Sequence, residues 1–384
     1  MVKGPAVLRE INEKRVLAYI RANGTSSRQE LTKNLGLSKN TVSLITEEFI
    51  KEGILREVGI DSKGVGRPRM KLDLIPDIYH SVGLHVRDTF CELVVTDYLG
   101  SIIESRKLMM NTQNAAQCLK EITLLWPKLE STYSNIIGFG IAIPGLVNPD
   151  EGIVISSSHL HWKDVNVIKI LEKQIPVPIK VLNRVKAAAL SPEKIIPEDA
   201  DSTFYIRIDE GVGGAFVHNK DVLSGFNYTA GEVGHLVVKH NGPLCTCGQK
   251  GCLETLVSIG NVIRRLSEMG ANITENDLYS NHFFTIYSFD PNYNEIVKVF
   301  KEVGKEVGTA VSTIINLFNP QFIVIDSPYN EMEFFKSATL ATIKSKALKY
   351  PSERTNTIFA SNPLSSPWGM AMSVIHQFEA TNFV

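Results

Sequence analysis

Apolar positions recur at helical spacing through the first 75 residues, then give way to alternating and continuous apolar runs typical of strands. Leu8, Ile11, Val16, Leu17 and Ile20 form one stripe ending at Asn23-Gly24, which predicts a first helix. Ser27 with Glu30 three residues later has the form of a capping box, so a second helix is expected through Leu31 and Leu35 to a turn at Gly36. Ser38 is the N-cap of a third, KNTVSLITEEFIKEG, whose Val42, Ile45 and Phe49 share a core-facing side. Lys39, Asn40, Thr41 and Ser43 are left on the outward N-terminal part, with groups suited to base edges and phosphates. Together with Arg28 at the start of the preceding helix, they make a helix-turn-helix layout. ILREVGIDSKGVGRPRMKLDLI then predicts two strands around a glycine-rich basic loop, a wing. Lys63, Arg67 and Arg69 would face the DNA backbone or minor groove, or else a solvated hairpin.

From Pro76 the texture changes. HSVGLHVRDTFCELVVTDYLGSIIES predicts a meander turning at Asp97–Gly100, IIGFGIAIPG a buried strand, and IPVPIKVLNRVKAAAL a strand passing into a helix. STFYIRIDEGVGGAFVHNKDVLSG repeats the meander, and a long helix with an Asn-Pro stop and a strand follows in IVKVFKEVGKEVGTAVSTIINLFNPQFIVID. A meander followed by strand–helix units, occurring twice, predicts two related α/β lobes with a cleft between them, at about 76–190 and 191–384.

Charge sharpens the division. Residues 1–75 carry 14 Lys/Arg against 9 Asp/Glu, a net of +5 on a chain whose overall net is −1. A basic head on an acidic body points to a polyanion partner for the head. The 43% hydrophobic and 21% charged composition excludes wholesale disorder, and no apolar run is long enough for a membrane span. With five cysteines and no secretory leader pattern, a cytoplasmic protein is expected rather than a disulfide framework.

GIAIPGLV, AGEVGH, CTCGQKGCLE and INLFNPQFIVI, in that order, resemble the ROK family of sugar kinases and sugar-responsive repressors over about residues 80–384. The resemblance implies a two-lobed actin-like, ribonuclease-H-like body. With the winged helix-turn-helix head in front, it is similar to the repressor branch, which includes xylose repressors and glucose and N-acetylglucosamine regulators. In the family, a histidine and three cysteines hold a zinc, which carries over to His235, Cys245, Cys247 and Cys252. Three thiolates and an imidazole suit tetrahedral Zn²⁺, and four protein ligands leave no open position, so one structural zinc per chain is expected. The bland alternative is a set of reduced buried cysteines. The resemblance also places Glu232, His235 and Glu254 around a sugar, and puts the loop holding His159, His161 and Trp162 where family members add contacts.

Three parts of a kinase are altered. The kinases' glycine-rich first phosphate loop is matched by LHVRDTF, without a glycine pair. Their Asn-Asp-x-Asn motif, whose Asp is the general base, is matched by Asn183-Arg184-Val185-Lys186, and arginine cannot accept a proton. The late strand ends IDSPYN instead of a Gly-Gly, while Gly211–Gly214 keeps part of a second phosphate loop. Arg184 and Lys186 either answer an acidic group on a ligand, pair internally with Glu232 or Glu254, or point to solvent. Asn183, Arg184 and His159 join the three wall residues as effector candidates. The expectation is a repressor, not an enzyme, acting as a homodimer or higher oligomer on operator DNA under control of a small sugar or sugar derivative. The rival is an active sugar kinase with an accessory DNA-binding head.

Overall fold

The three helices of the head run Pro5–Asn23, Arg28–Leu35 and Lys39–Lys51, in a computed structural model that describes residues 5–61, 69–191, 195–197, 200–280 and 283–382. The capping box forms as the sequence predicts. The Glu30 N–H donates to Ser27 Oγ at 3.3 Å, and the Ser27 N–H donates to the Glu30 carboxylate at 2.6 Å. Gly36 closes this helix in the left-handed region, at φ 66°, and so turns the chain toward the next helix. Strands Leu55–Asp61 and Arg69–Leu74 pair antiparallel as the wing, and Ser26–Ser27 adds a short third strand against the second of them.

Two five-stranded sheets carry the body. The first runs in the order Ile179–Asn183, Ile136–Ile143, His80–Val86, Phe90–Asp97, Ile102–Met109. Its last three strands are the antiparallel meander, and its first three are parallel. The second sheet runs Asp221–Val222, Val212–His218, Ser202–Ile208, Phe322–Asp326, Asn356–Phe359, again a meander joined to parallel strands. The same topology twice is the actin-like arrangement expected from the alternating pattern. The long helix Tyr293–Phe318 buries Val303, Val307 and Val311 against the second sheet's core, and Asn319 stops it in the left-handed region at φ 44°.

The chain divides into two compact units: residues up to Ser191 together with those from Ser366 on, and the stretch between. The second lobe, expected to continue to residue 384, stops at Ser365, because the last helix, Ser366–Asn382, packs on strands His80–Val86 and Ile136–Ile143 of the first sheet. The reason lies in small residues on the sheet. A Cβ added at Gly140 would lie 2.9 Å from the Met370 carbonyl oxygen and one at Gly138 would lie 2.7 Å from Val374, so only glycines admit the helix backbone this closely. The head's core, with Val16, Leu17, Ile20 and Phe49, is continuous with Val94, Tyr98, Trp368, Met372 and Ile375 of the body.

Candidate functional site

The exposed N-terminal part of the third head helix is organised by its own cap. Ser38 Oγ accepts from the Thr41 N–H at 3.1 Å and pairs with Thr41 Oγ1 at 2.8 Å, so both side chains are held at the helix start. Lys39 and Asn40 are exposed, Ser43 is half-buried, and Val42, Ile45 and Phe49 are buried on the other side. Arg28 faces inward to the domain instead: its Nε donates to Thr46 Oγ1 at 3.0 Å and its Nη1 to Glu57 at 3.2 Å. Lys63, Arg67 and the side chain of Arg69 lie outside the described residues.

In the second unit, His235, Cys245, Cys247 and Cys252 bring four ligand atoms within 4.8 Å of one another. Gly248 and Gly251 make this possible. Both have positive φ, at 90° and 78°, and a Cβ at Gly251 would run into the Lys239 carbonyl. Backbone bonds from Cys245 N to Gln249 O at 2.8 Å and from Gly248 N to Cys245 O at 2.9 Å close the knuckle. Cys245 Sγ lies 3.6 Å from His235 Nδ1, and Cys247 Sγ lies 3.6 Å from Cys252 Sγ. Burial and the neighbouring thiols push the Cys252 thiol up to about 12, whereas the Gln249 N–H pulls the exposed Cys247 down. Sulfurs this close repel one another as thiolates, and a divalent cation removes that repulsion. These four residues can hold a metal ion.

Glu232 and Glu254, the expected sugar contacts, flank this cluster in the chain. Glu232 is exposed and precedes the single turn Val233–His235. Glu254, half-buried in helix Leu253–Val257, accepts from the Val212 N–H at 3.1 Å. Metal loop and glycine-rich turn are therefore tied within one unit.

The first-unit candidates are described on their own. Asn183 is the side-chain cap of helix Arg184–Ala188, accepting from Val185 N at 2.7 Å and donating to Gly145 O at 2.7 Å. Its amide therefore holds the strand end to the Pro-Gly turn. Arg184 is half-buried and Lys186 buried, and both have partners. His159 is exposed. Trp162, from the loop expected to add sugar contacts, is 3% exposed and donates from Nε1 to Thr112 O at 2.9 Å. A ring at the start of a strand packs into the core unless the loop before it is long enough to hold it out.

Sequence reasoning missed a buried polar group beside the glycine-rich turn. Arg207 bonds Asp209 at 3.2 Å and the Leu364 carbonyl at 3.2 Å, while Asp326 accepts from Tyr205 OH at 2.6 Å and Leu364 N at 2.9 Å. Burial lifts the Asp326 carboxyl above the usual carboxylate range despite the nearby guanidinium. Tyr205 and Asp326 lie 121 residues apart and Asp326 and Leu364 lie 38 apart, so no local pattern announces the group.

The sequence pattern of the ROK family matches residues 81–372. The chain belongs to the ROK family. A winged helix-turn-helix DNA-binding pattern matches residues 9–56. The ROK chain is 27% identical over 361 residues to the xylose repressor of Caldicellulosiruptor bescii, covering 88% of this chain and 87% of that one. Among solved structures, it resembles a ROK family transcriptional regulator described as a homologue of the Escherichia coli MLC protein. The TM-score is 0.79 at 22% identity, with 97% of each chain covered. The ROK hexokinase of Thermus thermophilus matches with a TM-score of 0.65 at 20% identity, covering 77% of this chain and 97% of that one. At these identities the two structures establish the shared fold alone. Among the described residues no helix is long and apolar enough to cross a membrane.

Proposed function

We propose that this ROK protein is a sequence-specific transcriptional repressor whose operator affinity is set by a small sugar or sugar derivative. The observation that carries the reading is the combination, in one chain, of a capped helix-turn-helix presenting Lys39 and Asn40 with a ROK body whose general-base position is Arg184. An arginine cannot take a proton from a sugar hydroxyl. Two further features weigh against phosphoryl transfer. The turn matching the first phosphate loop is a hairpin closed by Arg87 N to Phe90 O at 2.9 Å, with Arg87 bonded to Glu92 at 3.2 Å. In the second loop, the Val212 N–H is already given to Glu254.

The metal is zinc. Zn–S bonds of about 2.3 Å place ligand atoms of a tetrahedron roughly 3.8 Å apart, which the 3.6 Å separations approach. Coordination through His235 Nδ1 leaves Nε2 for a sugar hydroxyl beside Glu232 and Glu254. Zinc supplies a fixed wall, and the side chains do the recognition. The protein works as a cytoplasmic homodimer or higher oligomer, since two heads read a palindromic site.

Duplexes selected from a random library with the full chain test this reading. Recovered sites should be palindromic, bind less tightly as salt rises, and change affinity with one member of a panel of pentoses, hexoses, N-acetylhexosamines and their phosphates. Sustained sugar-dependent release of ADP from ATP would instead establish the kinase alternative.

A further inference from the structure

The last helix, Ser366–Asn382, is pinned at its two ends to different functional parts of the first unit. At its N-terminal end, Ser366 Oγ donates to the Arg184 carbonyl at 3.0 Å. One turn later Gly369 sits so close to the Ala187 carbonyl that any Cβ would collide with it. Helix Arg184–Ala188, which opens at the general-base position, is thus seated directly on the last helix. At 1.5 Å per residue, 17 residues reach about 25 Å. At the far end Glu379 is buried and forms an ion pair with Arg21 of the first head helix. The Arg21 Nη1 lies 3.5 Å from the second oxygen of Glu379, and Tyr98 OH donates to the carboxylate at 2.8 Å. The Arg21 guanidinium also lies over the Tyr98 ring, 5.2 Å from its centre.

Apolar contacts alone would let two helices slide, because any apolar neighbour replaces another. A buried carboxylate with fixed partners does not allow this. A shift of an ångström or two strips it of hydrogen bonds in a medium that cannot replace them. Helix displacements of that size are the usual currency of switching. Between the two ends the helix lies on the glycine-lined face of the first sheet, with Ser81 Oγ donating to the Ala371 carbonyl at 2.9 Å, so it moves as one body if it moves at all.

We propose that the last helix is the mechanical link between the Asn183–Arg184 turn and the DNA-reading head, and that the Arg21–Glu379–Tyr98 node is the joint that makes the head follow it. The proposal rests on the repressor reading only in taking that turn as part of the effector site. The joint is a positioning device and touches neither DNA nor sugar.

Amide hydrogen exchange on the full chain tests the link without operator or effector. Ser366→Ala removes the near tether. It should speed exchange about threefold or more both in residues 184–189 and in residues 16–23 of the head. In a chain carrying Arg21→Met, Tyr98→Phe and Glu379→Leu, which swaps the buried charges for apolar groups, Ser366→Ala should speed exchange in 184–189 only. Unchanged exchange in 16–23 in the otherwise wild-type chain would overturn the proposal. So would an equal response in the apolar triple variant, because packing alone would then carry the signal. If the triple variant loses head protection altogether, Tyr98→Phe alone takes its place. It keeps the ion pair, removes one bond to Glu379, and should at least halve the transmitted change, whereas full transmission refutes the joint. A chain that passes these tests but ignores every sugar would lose the effector reading and keep the link.

Discussion

The two sheets of this protein share a topology but end their first hairpins in opposite ways. In the first, the turn after His80–Val86 is filled by side chains: Arg87 and His85 both reach Glu92, and burial holds His85 below its usual range. In the second, the turn after Ser202–Ile208 is Asp209-Glu210-Gly211, and Gly213 and Gly214 follow in the returning strand opposite Arg207 and Ile206. A fold built twice from one plan therefore differs in what stands at the hairpin end, an ion pair in one sheet and a glycine beside Glu254 in the other. The first turn carries the Arg87–Glu92 ion pair, and beside the second the Val212 N–H is given to Glu254, two residues after Cys252. The two hairpins thus end on different contacts, and the two units differ in what they carry. The first unit carries the head and the helix that holds it, and the second carries the metal loop and its wall.

The largest effect expected from breaking this division is on the second unit. Cys252→Ser removes a buried ligand and leaves the remaining sulfurs and His235 around a site that no longer holds its ion. The loss should be on the order of 4 kcal/mol or more, with the melting transition lowered by about 10 °C. Calorimetry and elemental analysis check it together: zinc should fall from about one per chain to near zero. A variant that melts like the wild type while losing its metal would show that the loop is held by its glycines alone.

Next in size is the first unit's recognition helix. Asn40→Ala should weaken binding to the selected duplex by about 1–3 kcal/mol and relax the sequence preference, if the amide reads a base edge. Lys39→Ala should weaken all duplexes alike and reduce the salt slope by about 1 if it meets a phosphate. Neither should alter metal content. Deleting the whole head is a poorer test than the sequence suggests, because Val16, Leu17 and Ile20 share a core with Trp368 and Met372, and their removal would expose that core.

A smaller effect is expected at the second turn. Glu254→Ala leaves the Val212 N–H without its acceptor and should cost about 1.5 kcal/mol, with Glu254→Gln recovering most of it. Freeing this amide should not bring ATP turnover, because Arg184 still stands at the general-base position. Restored sugar phosphorylation in Glu254→Ala would mean that the two turns, rather than Arg184, decide between kinase and repressor.

Much of this was legible along the chain. The capping box at Ser27, the cap at Ser38 and the Asn319 stop are local devices, and each closes its helix as its spacing predicts. The cysteine loop was legible for the same reason, since its ligands lie within a few residues and two glycines permit the turn. What was hidden is what depends on partners far away in sequence. Arg28 reads as a DNA contact because nothing adjacent in sequence claims it; Thr46 of the third helix and Glu57 of the wing do so in the fold. Glu379 reads as one more polar residue of a terminal helix until Arg21, from the other end of the chain, is beside it. The return of the last helix to the first unit is signalled by Gly83, Gly138 and Gly140, which look like ordinary small residues of strands.

The smallest change expected in stability carries the sharpest functional consequence. Glu232 is exposed, so Glu232→Ala should leave melting within about 0.5 kcal/mol of wild type. Basal affinity for the selected duplex should also be unchanged, because the residue belongs to the second unit and the reading helix to the first. A sugar shifts the equilibrium between DNA-competent and incompetent states only through unequal affinity for them. If Glu232 contacts the sugar as proposed, its removal should abolish that inequality along with binding. Linkage adds a check that needs no second mutant: a sugar that weakens duplex binding by some factor must itself bind more weakly, by the same factor, to the duplex-bound wild type. Fluorescence-anisotropy titrations run in both directions measure the two factors. A Glu232→Ala protein still released from its duplex at wild-type sugar concentrations would exclude Glu232 from the wall and move the sugar contacts to His235 and Glu254. A sugar that instead tightens duplex binding in the wild type would leave the wall in place and reverse the sign of control, making the ligand a co-repressor.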